Sequence, residues 1–160
     1  MVDIVKPETY DLEQIRKILT QWTETEEADK YVTRISNEIG GKTEFNMQFW
    51  VARENGKAVG IIGLCNPLPK LLHLAKTHKP GELKILYVDT KNHGKGVGTN
   101  LLDFIADEAK KQGYSELLVR SAEKYRETAY GFYEKKGYVK LGVIDCNNCS
   151  KTMQVFGKLL

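Results

Sequence analysis

The chain is expected to fold as a mixed α/β (α+β) domain, a sheet with helices on its faces. Three observations predict this. Apolar residues switch repeatedly between helical spacing and short strand-like runs. The elements follow the order strand, helix, helix, three strands, helix, strand, helix, two strands. An antiparallel hairpin precedes the strand–helix–strand stretch, so the sheet is mixed.

Each element has its own signal. Residues 2–5 read as a short first strand. Asp11 can cap a helix in which Leu12, Ile15, Ile18, Leu19 and Trp22 recur on one face. A more polar helix covers residues 26–39, with Tyr31, Ile35 and Ile39 on one side, and Gly40-Gly41 stops it. Residues 45–53 and 58–64 form the hairpin, and Asn55-Gly56 suits a tight type I′ turn between them. Residues 66–80 carry three of the four prolines, which predicts a loop with one helical turn. A strand follows over 83–88. A helix over 98–111 places Val97, Leu101, Leu102, Ile105, Ala106 and Ala109 on one face. A short strand over 116–120 leads to a helix over 126–136, ended by Gly137. Strands over 138–144 and 152–160 close the chain.

With 160 residues and no repeat or Gly/Ser/Pro-rich linker, one domain over residues 1–160 is expected. Apolar residues make up 41% and charged residues 28%, which excludes a disordered chain. No stretch approaches the ~20 apolar residues of a membrane span, so no membrane partner is expected. The first residues show no basic segment leading into an apolar run, which argues against a secretory signal. Three cysteines make no disulfide framework, so the expected location is cytoplasmic. A net charge of +3 is too mild for a nucleic-acid partner.

The most informative segment runs from Leu86 to Thr99. An apolar strand, Leu86-Tyr87-Val88, enters the loop His93-Gly94-Lys95-Gly96-Val97-Gly98-Thr99 and then an amphipathic helix. Glycines allow close backbone approach and positive φ. The N–H groups of the first helical turn, together with the helix dipole, favour an anion. Lys95 adds a positive charge. A phosphate or pyrophosphate site is expected. The P-loop pattern fails at Gly94-Lys95-Gly96, and the Gly-x-Gly-x-Gly spacing departs from the dinucleotide fingerprint.

Here the chain resembles the GNAT N-acetyltransferase family. His93 to Gly98 is similar to the family's Gln/Arg-x-x-Gly-x-Gly/Ala motif. His93 stands where Gln or Arg is usual, and Thr90 where Pro is frequent. Residues 126–138 resemble its second motif, Asn-x-x-Ala-x-x-Phe-Tyr-x-x-x-Gly-Phe, through Ala129, Phe132, Tyr133, Gly137 and Tyr138, with Arg126 in place of Asn. The resemblance implies a single domain with a mostly antiparallel sheet flanked by helices, and acetyl-CoA as co-substrate. It also implies a pyrophosphate held by residues 94–99, and a pantetheine arm paired with the backbone of Leu86, Tyr87 and Val88 like an added strand. Arg126 becomes a further candidate for cofactor contact.

The implied reaction is direct attack of a primary amine on the thioester, with no acyl-enzyme. At neutral pH only roughly one alkyl amine in a few thousand is uncharged, so a base or a water relay is useful. Glu82 falls where several family members carry a catalytic or water-holding Glu. Tyr133, on the second motif, is the candidate acid for the departing thiolate. Each has a plainer reading, Glu82 as a solvated charge at a strand start and Tyr133 as a packed aromatic.

Cys146-x-x-Cys149 lacks the second ligand pair of a structural zinc site and reads as a hairpin turn, so no metal is expected. The acceptor is a small-molecule amine or a protein or peptide amine, and analogy with the family admits a homodimer. Two alternatives stay open: a non-catalytic acyl-CoA-binding regulatory module, and an enzyme that holds a nucleotide at the glycine loop.

Overall fold

The computed structural model describes residues 2–145 and 152–160. In chain order its main elements are β1 (Asp3–Val5), α1 (Leu12–Trp22), α2 (Thr25–Ile39), β2 (Gln48–Glu54), β3 (Lys57–Cys65), β4 (Pro80–Val88), α3 (Val97–Lys111), β5 (Glu116–Ala122), α4 (Gly131–Lys135), β6 (Val139–Asp145) and β7 (Thr152–Leu159). The strands make one sheet in the order β1-β2-β3-β4-β5-β7-β6. The pairs β1–β2, β2–β3, β5–β7 and β6–β7 are antiparallel, and β4–β5 is parallel. The sheet is mostly antiparallel and flanked by helices. No helix among the described residues is long and apolar enough to cross a membrane.

The chain forms two compact units that share β4. The first is Met1–Cys65 with Lys84–Glu108, and the second is Asn66–Leu83 with Ala109–Leu160.

In the first unit, Asn55 (φ 53°) and Gly56 (φ 78°) both take positive φ, as a type I′ turn demands. Ile15 and Leu19 of α1 and Ala28, Tyr31 and Ile35 of α2 bury against Phe49, Val51 and Ile61 of the hairpin. Ile39, expected on that face, is 37% exposed because α2 ends there at Gly40. Gly60 is needed for close packing. A Cβ there would lie 2.9 Å from Leu101 Cδ1 and 3.2 Å from Val97 Cγ1, so glycine lets the first turns of α3 approach β3.

Asp11 does not cap α1 as expected. Its backbone is already helical (φ −79°, ψ −20°). Its carboxylate turns back to accept the Glu8 N–H (2.8 Å) and closes the 3-10 turn Thr9–Asp11. The same carboxylate accepts from Arg53 of β2, at 2.6 Å from Nη2 and 3.2 Å from Nε. Asp11 is 1% exposed and the Arg53 side chain 15%, so this ion pair is largely desolvated.

In the second unit, Leu71, Leu118, Ile144 and Val155 form the core, with Leu68, Leu74, Leu141 and Met153 packed on it. The segment 66–80 is part of this unit and not a free loop. Its 3-10 helix Pro69–Leu74 seats Leu74 against Gly142, where a Cβ would lie 2.9 Å from Leu74 Cδ2. One oxygen of buried Glu116 accepts from Lys76 N (2.9 Å), Thr77 N (2.7 Å) and Thr77 Oγ1 (2.9 Å).

The helix expected over 126–136 is three pieces. A 3-10 turn (Glu123–Tyr125) runs into a π turn (Arg126–Tyr130), and only Gly131–Lys135 is α-helical. Tertiary contacts decide this. Tyr130 is buried, its hydroxyl donates to Ser121 O (3.3 Å) and its ring meets Phe156 edge-on at 5.2 Å. Gly137 does end the helix, at φ 88°, and the Tyr138 N–H reaches back to Tyr133 O (3.0 Å), a Schellman closure.

The Asp11 pair gives a direct stability test. Asp11→Ala strands a mostly buried guanidinium and removes the partner of the Glu8 N–H. The expected cost is about 2–3 kcal/mol, a fall in Tm of roughly 5–10 °C by calorimetry.

Candidate functional site

The site is built outward from β4. Its parallel ladder with β5 runs from Pro80 opposite Glu116 to Leu83 opposite Val119. Two residues later Ile85 takes φ 37°, a genuine outlier for a β-branched residue within a strand. The side-chain alternation changes phase there. The Lys84 Cβ lies beside Gly63 where Phe49 packs, and Ile85 and Tyr87 pack on the core cluster that includes Phe49. Successive residues on one side mark a bulge.

Past the bulge, Leu86 and Tyr87 are half-buried and Val88 is buried. The Asp89 N–H donates to Val59 O of β3 (2.8 Å). The Asp89 carboxylate, buried, accepts the Lys91 N–H (3.1 Å) and opens the 3-10 turn Thr90–Asn92. His93, Gly94, Lys95 and Gly96 are then exposed. Gly94 (φ 78°) and Gly96 (φ 82°) take left-handed backbone, and nothing lies within 4 Å of a Cβ built on either. They are glycines for their torsions and not for close packing. α3 starts at Val97, and the Asn100 N–H bonds Gly96 O (3.0 Å). The N–H groups of Val97, Gly98 and Thr99 therefore precede the first intrahelical bond and carry the positive end of the α3 dipole. With Lys95 beside them, they suit a phosphate-bearing anion.

The end of α1 touches this turn at several points that the sequence did not reveal. Trp22 Nε1–H donates to Val88 O (2.9 Å). Its ring stacks on Tyr87 (6.2 Å between centroids, 13° between planes) and lies 5.9 Å from the ring of His93. Gln21 accepts the Thr90 N–H (3.0 Å) and donates to Asp89 Oδ1 (3.4 Å). Trp22 reads only as part of an apolar helical stripe, and its partners lie 65 residues away or more.

The remaining candidates belong to the second unit. Glu82 is not a solvated charge. It is fully buried, with Oε1 accepting the Leu68 N–H (3.0 Å) and Oε2 accepting from Arg120 Nε (3.0 Å). Tyr133 is 6% exposed among Phe132, Tyr138 and Phe156, whose ring centroids lie 5.5–5.7 Å away. That burial pushes its hydroxyl well above the usual phenol range, so it stays protonated through neutral and mildly alkaline pH. Arg126 opens the π turn, exposed and paired with Glu123 (3.0 Å). Cys65 is a buried cysteine, and Cys146 and Cys149 lie outside the described residues. Among the described residues no group of three or more His, Cys, Asp or Glu could hold a metal ion.

A strand that bulges, then a left-handed glycine turn, then a helix N-terminus make an exposed frame that suits a phosphate-bearing anion. A family model described as "Acetyltransferase (GNAT) domain" matches residues 46–140. An aminoalkylphosphonate N-acetyltransferase from Salmonella typhimurium is 32% identical over 93 residues, 58% of this chain and 57% of that protein. A structure assigned to the GNAT family from Desulfovibrio desulfuricans superposes with a TM-score of 0.83 at 19% identity, covering 99% of both chains. A PaiA N-acetyltransferase from Thermoplasma acidophilum in complex with coenzyme A gives 0.70 at 17% identity, over 100% of this chain and 99% of that one. The chain spans 39–58% of the length of the curated relatives it matches. The chain belongs to the GNAT acetyltransferase family.

The glycine torsions can be tested without any ligand. Gly96→Ala introduces no clash but forces an L-residue to φ 82°. The expected cost is about 1–2 kcal/mol, a fall in Tm of roughly 2–8 °C.

Proposed function

We propose that the chain acts as one domain over residues 1–160, transferring an acetyl group from acetyl-CoA to a primary amine by direct attack in a ternary complex. The observation that carries this reading is the left-handed Gly94–Gly96 turn running into α3. In this reading the N–H groups of residues 94–99 and the Lys95 ammonium hold the pyrophosphate, with His93 at the rim. The backbone of Leu86, Tyr87 and Val88, just past the bulge, pairs with the pantetheine amides. Arg126 is exposed and long enough to exchange Glu123 for a cofactor phosphate. The setting is the cytoplasm, where the Cys65 thiol stays reduced.

The acceptor is a primary amine on a small molecule or a peptide, and it must lose a proton before it can attack. The family position gives the base role to Glu82. Both of its oxygens already hold protein donors, so the role requires the carboxylate to exchange one of them for a water that relays the proton. The acid role falls to Tyr133. Burial keeps the hydroxyl protonated, the form that hydrogen-bonds the departing thiolate, and it passes its proton to sulfur only if the bound co-substrate lowers its pKa from the buried value. The bonds balance: the amine nitrogen gains the acyl carbon, the thioester C–S bond breaks, and sulfur takes a proton.

The first test is a thermal-shift titration with acetyl-CoA, with ATP and NAD as controls. At a hundredfold excess over Kd, a ligand of the native state adds about 2.7 kcal/mol, which raises Tm by roughly 5–10 °C. A shift with acetyl-CoA alone is expected. A shift only with a nucleotide would overturn the reading, and cofactor binding without acceptor-dependent thiol release would point to a regulatory module.

Two substitutions test the chemistry. Tyr133→Phe keeps the packed ring, so acetyl-CoA affinity should hold while turnover falls about 10²-fold or more. Unchanged turnover would remove Tyr133 from the mechanism. Glu82→Gln should alter the pH–rate profile on its acid limb, where an ionisable base governs the rate. A wild-type profile would leave Glu82 with a structural task alone.

A further inference from the structure

We propose that Trp22, with Gln21, is a positioning residue for the acyl-CoA: the end of α1 fixes the backbone that leads into the glycine turn, and so sets co-substrate affinity. The inference rests on the acyl-CoA reading of that turn.

The argument follows one peptide unit at a time. In the peptide joining Val88 to Asp89, the N–H and C=O point in opposite directions because the bond is trans. Its N–H is held by Val59 O of β3 at 2.8 Å. Its C=O is held by Trp22 Nε1–H at 2.9 Å. The plane is thus pinned at both ends, by the sheet on one side and by α1 on the other. In the next peptide the Thr90 N–H is held by Gln21 Oε1 at 3.0 Å. The two that follow are tied to Asp89, with Lys91 N–H on its carboxylate (3.1 Å) and Asn92 N–H on its carbonyl (2.8 Å). The His93 N–H then bonds Thr90 O (3.3 Å), so five successive N–H groups, Asp89 to His93, have defined partners.

The unbroken run ends at His93, whose ring lies 5.9 Å from that of Trp22, and beyond it the Lys95 N–H makes one longer bond to Asn92 O (3.4 Å). Gly94 and Gly96 follow, with open space around them. The fixed run therefore abuts the most permissive part of the site. A turn launched from a fixed peptide loses less conformational freedom when it closes on an anion. Trp22 contributes by preorganisation, through the backbone that it holds. Its effect belongs in acyl-CoA affinity and not in the chemical step.

Trp22→Phe separates the two parts of the tryptophan, keeping a ring for Tyr87 and His93 while removing the N–H donor to Val88. Gln21→Ala removes the Thr90 contact from an exposed helical position, so folding is preserved even if the first variant is unstable. Coenzyme A binding is measured by calorimetry well below Tm, and steady-state rates are measured with acyl-CoA varied at saturating acceptor. Loss of one net hydrogen bond predicts a rise in coenzyme A Kd of about five- to tenfold in Trp22→Phe and about threefold or more in Gln21→Ala. The KM for acyl-CoA should rise in step, with kcat altered less than twofold. Asp11→Ala lowers stability without touching the turn, and it should bind coenzyme A as the wild type does. Wild-type Kd in both variants would overturn the inference while leaving the acyl-CoA reading intact. So would a fall in kcat at unchanged Kd. Failure of the wild-type protein itself to bind coenzyme A would instead remove the reading beneath it.

Discussion

The hydrogen bonding of β4 is the constraint on which the rest depends. One nine-residue strand must supply a parallel ladder to β5 at its start and launch an exposed turn at its end. It does so by changing phase at a single torsion, the φ of 37° at Ile85. The chain passes from one compact unit to the other at almost the same place, between Leu83 and Lys84. Strain of this kind persists only where the surroundings over-determine it. Here the pinned Val88–Asp89 peptide does so downstream, and the ladder with β5 does so upstream.

Buried carboxylates organise much of what surrounds that strand, and each spends its hydrogen-bonding capacity on backbone. Asp11 holds the Glu8 N–H, Glu82 the Leu68 N–H, and Glu116 two N–H groups and a hydroxyl of residues 76–77. Asp11 and Glu82 also carry an arginine. Such pairs contribute little net stability compared with an apolar replacement, but removal of one member is costly because the other is left desolvated. Their more specific effect is on geometry. A carboxylate with two or three fixed donors determines where a segment without regular structure must lie.

Legibility in the sequence followed the range of the physics. Features decided by one or two torsions were readable, such as the Asn55-Gly56 turn, the left-handed Gly94 and Gly96, and the Gly137 stop. So were elements with a strong apolar period, such as α1 and α3. Features decided by a distant partner were not. Nothing near Trp22 announces a bond to Val88, and nothing near Glu82 announces Arg120. Asp11 has the residue type of a cap and is drawn elsewhere by Arg53. The stretch from Arg126 to Tyr130 has helical spacing, yet the burial of Tyr130 against Phe156 winds it as a π turn. The glycine turn was thus legible as a left-handed entry to a helix N-terminus, while the surroundings of Glu82 and Tyr133 needed the tertiary structure.

The segment 66–80 is fastened near both ends, at Leu68 by Glu82 and at Thr77 by Glu116. Between them Leu71 and Leu74 face the core, while Leu72 is 51% exposed and His73 lies outward. The outward side chains can therefore be exchanged while the backbone that carries them stays put. The segment works like a tool holder with interchangeable bits, so surface chemistry could diverge rapidly here between related proteins at little cost to folding.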